Sequence, residues 1–393
     1  MKIVVLDGYT ENPGDLSWDE LAKLGDLTVY DRTSYEESPL IAERIGDAEI
    51  AVINKTPISK ATIDACPNLK AIAVLATGYN VVDYVYAKEK GIPVINVPTY
   101  GTQIVGQYAV GLLLEICSHY GHHDATVKEG KWENNDDWCY WDYPMIEVYG
   151  KTVGIIGLGK IGQASAKILK AMEMRVLAYD AYPSEAGKQL AEYVDLDTLF
   201  AESDVIFLHC PLFPETEGII NKENIAKMKD GVRIINFARA DLVDSQAVLE
   251  GIQKGKIKKY ITDFATEDII DQKDVIVMPH LGASTPESED NCAIMAVKEM
   301  QDYLENGNIT HSVNLPSVHE PRTTKYRICL IHKNVPNMLA QFATLFANKH
   351  INIENMVNKA KGEYAYTMID TQDVVDCEEL KNLDHVIQVR VIE

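Results

Sequence analysis

The sequence predicts two α/β units, each on a doubly wound parallel sheet, followed by a smaller βαββαβ unit. Three observations predict this. Short apolar runs alternate with helix-like stretches from Lys2 to Asn96; a second, stronger alternation begins at Thr152; and from Arg327 the order becomes strand, helix, two strands, helix, strand. Alternating strands and helices imply parallel sheets, because each helix supplies the crossover between neighbouring strands. A length of 393 residues also exceeds what one core holds comfortably.

In the first unit, Lys2–Leu6, Ala48–Ile53, Leu69–Val74 and Val94–Asn96 read as strands. Asp19–Leu24, Glu36–Ile45 and Val82–Lys90 read as helices, and Gly101–Tyr120 as a long apolar helix. Residues 131–149 are aromatic and irregular, a crossing between domains, with Trp132, Trp138 and Trp141 expected in core or hinge packing. His119, His122 and His123 suit the cation-favouring end of the long helix better than a metal site. Helix-like sequence from Pro286 to Asn306 is expected to return to the first sheet. The domains are then 1–98 with 286–316, 99–285, a linker at 317–325, and the tail 326–393, with a cleft between the first two.

In the tail, Arg327–His332, Asn352–Asn358, Glu363–Asp370 and Val386–Ile392 read as strands. Pro336–Lys349 and Cys377–Asn382 read as helices, which makes a ferredoxin-like unit.

A formal charge of −22 makes nucleic acid and anionic membranes poor partners. An anionic substrate would need local cations. Seven scattered cysteines, without Cys-x-x-Cys spacing, argue against disulfides and structural zinc and read as reduced cytoplasmic thiols. The opening run shows no leader-like pattern, and no apolar run is long enough for a membrane span.

The strongest motif is Gly157-Leu-Gly159-Lys160-Ile161-Gly162, between a buried strand and a helix. Its first glycine permits the tight turn, the second lets a pyrophosphate approach, and the third lets helix and strand pack. The next strand ends at Asp180, 18 positions beyond Gly162. A carboxylate there can accept from both ribose hydroxyls and repels a 2′-phosphate, which favours NAD over NADP. Lys160 and Ile161 belong with the glycines in the cofactor set.

Hydride exchange with a hydroxy acid needs a cation for the carboxylate and a base for the hydroxyl proton. Arg239 follows the strand Val232–Ile235 and suits bidentate carboxylate binding. His280 follows Val275–Met278 as the base, and Asp263 sits at a third strand end, placed for the nicotinamide amide.

With these residues, 1–316 resembles the D-isomer-specific 2-hydroxyacid dehydrogenases, also through His209-Cys-Pro-Leu and Pro214-Glu-Thr-Glu-Gly. The resemblance implies two Rossmann-like domains. It implies that Arg239 binds the substrate carboxylate, with Thr77 and Gly78 at its other end, and that His280 is the acid/base. Cys210, Pro211, Ala238 and Asp263 would line the NAD site. Two departures stand out. Ala240 replaces the family's glycine after the arginine, and the segment bearing the histidine's carboxylate partner is altered. Glu267 and Asp268 compete for that role, and Glu267 is preferred.

Up to about Met228 the chain is most similar to glycerate dehydrogenases, or hydroxypyruvate reductases. From about Asp230 it is similar to 3-phosphoglycerate dehydrogenases. Phosphoglycerate enzymes commonly carry an arginine near residue 54, where this chain has Asn54-Lys55. Lys55 could hold a phosphate only as a point charge. The architecture with its tail favours 3-phosphoglycerate and serine biosynthesis; the loop favours D-glycerate. Outside the enzymes, the rival is a non-catalytic NADH-sensing protein.

The tail resembles an ACT domain through His332-Lys-Asn334-Val-Pro-Asn337. The resemblance implies an effector such as serine at His332, Asn334 and a partner subunit's Asn352. Asn337 stands where the family has glycine. A homodimer or homotetramer is expected whether or not the tail binds an effector.

Overall fold

The computed structural model describes residues 1–11 and 17–393. They form two compact units: Met1–Tyr100 with Thr285–Glu393, and Gly101–Ser284.

The first unit opens with β1 (Lys2–Val5), β2 (Asp26–Val29), β3 (Ile50–Ile53), β4 (Ala71–Val74) and β5 (Val94–Asn96), in the order β2-β1-β3-β4-β5. All pairings are parallel. Successive residues point to opposite faces, so Ile3, Val5, Val52 and Ala73 join one core while Val4, Leu6, Ile53 and Ile72 join another. Burial on both faces is what makes these strands continuous apolar runs. β2 escapes sequence reading because it is a mostly exposed edge strand. The helix Lys60–Ala65 also went unread; it is short and capped by Ser59.

The second unit holds β6 (Thr152–Ile156), β7 (Arg175–Tyr179), β8 (Glu192–Tyr193), β9 (Val205–Leu208), β10 (Val232–Asn236), β11 (Ile257–Thr262) and β12 (Val275–Val277). Their order is β12-β11-β10-β9-β6-β7-β8, again parallel throughout. The order reverses between β6 and β9, where sheets of this kind bind ligands. The long helix runs Thr102–Ser118 and ends at His119, whose left-handed φ of 53° starts a second helix, Tyr120–Lys128. Residues 131–149 contain no helix or strand. The expectation of core packing for the tryptophans is corrected: Trp132, Trp138 and Trp141 are 49%, 86% and 68% exposed.

The tail contains β13 (Tyr326–Lys333), β14 (Asn355–Lys361), β15 (Tyr364–Thr371) and β16 (Val386–Ile392), an antiparallel sheet ordered β14-β15-β13-β16. Ile328, Leu330 and Ile369 pack with Phe342 and Phe346 of helix Met338–Asn348. The opposite face, with Cys329, Ile331, Tyr366 and Met368, shares a core with Cys292, Met300 and Tyr303 of helix Pro286–Asn306 and with the first sheet. The sequence sets the tail apart behind a linker; here it lies within the first unit. Arg327 explains why. Its guanidinium is 0% exposed and pairs with Asp370 at 2.6 and 2.8 Å, and its remaining donors reach the carbonyls of Asn306, Glu320 and Pro321. Val318, inside the expected linker, is buried and bridged to Ile309.

Candidate active site

The glycine turn joins β6 to helix Lys160–Ala171. Gly157 has φ 93°, and a Cβ there would lie 2.4 Å from the Cys210 nitrogen. Gly162 touches the Gly157 carbonyl so closely that a Cβ would stand 2.2 Å away. Gly159, the helix N-cap, faces open space. That opening lies against free backbone N–H groups at a helix start, the environment a pyrophosphate needs. Asp180, at the end of β7, accepts from the backbone N–H of Leu158 at 2.7 Å and of Tyr182 at 2.8 Å. Its carboxylate therefore shapes the turn itself. Cys210 is buried, and the loss of solvent pushes its thiol up to about 11, so it stays neutral. Lys160 and Pro211 are exposed, Ile161 is half-buried, and Ala238 is buried.

Arg239 follows β10 in extended backbone, φ −151°, and is half-buried. Its Nη1 donates to the Ala238 carbonyl at 2.6 Å. Ala240 starts a short 3-10 turn and has no positive φ, so the alanine in place of glycine introduces no backbone strain.

His280 lies beyond β12 with a left-handed φ of 56°. Its Nδ1 is 3.1 Å from Asp263 Oδ2; the histidine side chain is 52% exposed and the aspartate 5%. Asp263, rather than the Glu267 preferred from the sequence, is the carboxylate beside His280 in this structure. Glu267 is exposed, and Asp268 instead accepts from Thr266 and Gln246. Asp263 Oδ1 is buried without a hydrogen-bond partner among the described residues. An orphaned acceptor of this kind fits a nicotinamide carboxamide donor.

In the first unit, Asp7 is 1% exposed and accepts from the backbone N–H groups of Asn54, Lys55 and Thr56 at 2.8, 2.5 and 2.7 Å. The loop carrying the exposed Lys55 is thus fixed from below. Glu11 accepts from the Asn54 side chain, and burial pushes its carboxyl up to about 8. Thr77 and Gly78 follow β4; Thr77 Oγ1 donates to the Val97 carbonyl at 3.1 Å, and Asn96 donates to the Thr77 carbonyl at 2.7 Å.

The tail residues expected to meet an effector are engaged within the chain. His332 is 2% exposed, with Nδ1 at 2.8 Å from the Lys333 carbonyl and Nε2 at 2.8 Å from Thr367 Oγ1. Both ring nitrogens are therefore used, and burial lowers the imidazole's affinity for a proton. Asn334 donates to the Gly362 carbonyl, and Asn352 to Glu354. Asn337 has φ 73° at the N-cap of its helix, a conformation that glycine takes freely and asparagine tolerates.

Residues 110–282 match the D-isomer specific 2-hydroxyacid dehydrogenase, NAD binding domain. A hydroxypyruvate reductase from Blautia hydrogenotrophica is 52% identical over 317 residues, covering 79% of this chain and 98% of its own length. The chain belongs to the D-isomer-specific 2-hydroxyacid dehydrogenase family. As a member it is an NAD-dependent oxidoreductase acting on a D-2-hydroxy acid. D-3-phosphoglycerate dehydrogenase 1 from Saccharomyces cerevisiae is 28% identical over 423 residues, covering 100% of this chain and 87% of its own length. The apo-structure of D-lactate dehydrogenase from Escherichia coli aligns with a TM-score of 0.68 at 32% identity, covering 79% of this chain and 98% of that one.

Sequence reasoning missed two groups in this dehydrogenase. His209 is half-buried, is pushed down to about 4 by loss of solvent, and bonds through Nε2 to Ser165 Oγ at 2.9 Å. It ties the end of β9 to the phosphate-side helix. Asn236 and Tyr260 lie buried beneath Arg239. An asparagine closing the strand-like run Val232–Asn236 was the available signal.

Proposed function

We propose that this dehydrogenase is a hydroxypyruvate reductase, interconverting hydroxypyruvate and D-glycerate. The observation that carries this reading is the 52% identity to a hydroxypyruvate reductase over nearly that protein's whole length. The Lys55 loop agrees, since an ammonium lacks the forked geometry of a guanidinium that suits a phosphate. NADH, when bound, supplies the hydride that adds to the keto carbon. Gly157, Gly159, Lys160, Ile161 and Gly162 form the phosphate cradle, Asp180 accepts from the ribose, and Cys210, Pro211 and Ala238 line the site. Arg239 pairs with the substrate carboxylate; Lys55, Thr77 and Gly78 are the candidates for substrate contact within the first unit. His280 gives its proton to the carbonyl oxygen as that oxygen gains charge. Asp263 orients His280 through Oδ2 and takes the carboxamide through Oδ1.

The main reading at the level of sequence, 3-phosphoglycerate dehydrogenase, becomes the second reading. One observation favours it: the full-length match, tail included, to the yeast phosphoglycerate enzyme. We read the tail as ACT-like and the chain as a cytoplasmic homo-oligomer, supported by the exposed aromatics between Trp132 and Tyr149. The deciding experiment is NADH oxidation with hydroxypyruvate and with 3-phosphohydroxypyruvate, each with and without serine. Higher kcat/KM for hydroxypyruvate supports the proposal. Preference for the phosphorylated acid with serine inhibition replaces it.

A further inference from the structure

A small polar cluster interrupts the apolar core beneath Arg239 and Asp263. Asn236 and Thr262 are 0% exposed, and Tyr260 is 2% exposed. Asn236 lies opposite Thr262 in the parallel pairing of β10 and β11, with Tyr260 opposite Ile234. The Asn236 amide donates to the Arg239 carbonyl at 2.8 Å, and its Oδ1 accepts from the Ala238 N–H at 3.1 Å. Both ends of the amide therefore clasp the turn that carries Arg239. The same Nδ2 stands 3.4 Å from the Tyr260 hydroxyl. On the neighbouring strand, Thr262 Oγ1 accepts from the Phe264 N–H at 3.2 Å. Thr262 and Phe264 flank Asp263.

A buried amide is costly unless its groups are satisfied, and an apolar side chain would fill this core with less penalty. The cluster's bonds go to the two segments that present the reacting groups. We propose that Asn236, backed by Tyr260, is a positioning residue for Arg239. It holds the 236–239 turn so that the guanidinium stands ready for a carboxylate. Tyr260 ties that turn to β11, the strand that leads into Asp263. The inference rests on reading Arg239 as the carboxylate anchor.

The test compares Asn236→Asp, Tyr260→Phe, Arg239→Ala and the Asn236→Asp/Arg239→Ala double variant in the full-length enzyme. Readouts are KM and kcat with hydroxypyruvate, NADH affinity by fluorescence, and melting temperature. Asn236→Asp keeps an acceptor for Ala238 but turns an oxygen toward the Arg239 carbonyl. A misplaced anchor should raise KM about 10- to 100-fold with NADH affinity unchanged, while the buried carboxylate lowers the melting temperature. Tyr260→Phe, which keeps the ring, should raise KM about threefold by loosening the amide. The double variant should be no worse than Arg239→Ala, because the two act as a unit. If Arg239→Ala raises KM while Asn236→Asp and Tyr260→Phe match wild type, the inference is overturned and the anchor reading stands. If Arg239→Ala leaves KM unchanged, the anchor reading falls and the inference with it. A fall in kcat alone in Asn236→Asp also overturns positioning. Should Asn236→Asp not fold, Tyr260→Phe decides: a raised KM supports the inference and a wild-type KM overturns it.

Discussion

His280 Nδ1 stands 3.1 Å from Asp263 Oδ2, and the aspartate is 5% exposed. A buried carboxylate at this distance fixes which ring nitrogen carries the proton. His280→Ala should lower kcat about 10²- to 10⁴-fold, and Asp263→Asn about 10²-fold or more, as expected for loss of acid/base catalysis and its orientation. Glu267→Gln, an exposed change, should stay within about twofold of wild type. Steady-state kinetics check all three. A loss in Glu267→Gln equal to that in Asp263→Asn would return the partner role to Glu267.

Asp180 sits at the end of β7 with its carboxylate on the Leu158 N–H. NADH should therefore be preferred over NADPH, since a 2′-phosphate would meet this anion. Asp180→Ala should narrow that preference about tenfold or more, a change of about 1.4 kcal/mol. It should also weaken NADH binding itself, because the phosphate turn loses an acceptor. Dissociation constants for both cofactors decide this. An unchanged ratio would remove Asp180 from cofactor selection.

His209 titrates near 4 in the folded chain, against 6.5 for a free imidazole. The folded form thus declines a proton that the unfolded chain accepts. Stability is intact above pH 6.5 and falls as pH drops toward 4. At pH 5 the loss from this group should be about 2 kcal/mol. Urea unfolding of wild type and His209→Gln at pH 5 and pH 7.5 measures it. The wild type should lose more stability than the variant on acidification, and equal losses would count against the imidazole.

Arg327 and Asp370 form a buried ion pair whose arginine also holds three backbone carbonyls of the segment 306–321. Removing one partner leaves the other charged and buried. Arg327→Met should cost about 3–5 kcal/mol, read as a lowered denaturant midpoint. Deleting residues 317–393 would uncover Cys292, Met300 and Tyr303, so the shortened chain should aggregate. A truncated chain that stays monodisperse, with unchanged unfolding, would show the tail to be dispensable for the first unit's core.

Much of this architecture was legible in advance. The parallel strands announced themselves because both faces are buried, which turns them into apolar runs such as Ile50–Ile53 and Val205–Leu208. The glycine turn was legible because each glycine answers a local demand: a positive φ at Gly157, a close approach at Gly162, an opening at Gly159. Arg239, Asp263 and His280 were legible as polar residues just beyond strand ends. β2 was not, since an exposed edge carries little apolar signal.

By itself the sequence determined the α/β character of both units, the phosphate turn, the acidic end of β7 and the order of the tail. Those are local properties, set by periodicity, backbone conformation and the residues flanking each strand. Only the tertiary structure decided which carboxylate meets His280, because Asp263, Glu267 and Asp268 lie within six residues and differ only in where the chain turns them. It alone decided that the tail shares a core with the first sheet. It alone decided that His332 spends both ring nitrogens internally and that Asn236 holds the turn of Arg239. Each of these depends on groups distant in sequence meeting in a buried space, where every polar atom must find a partner.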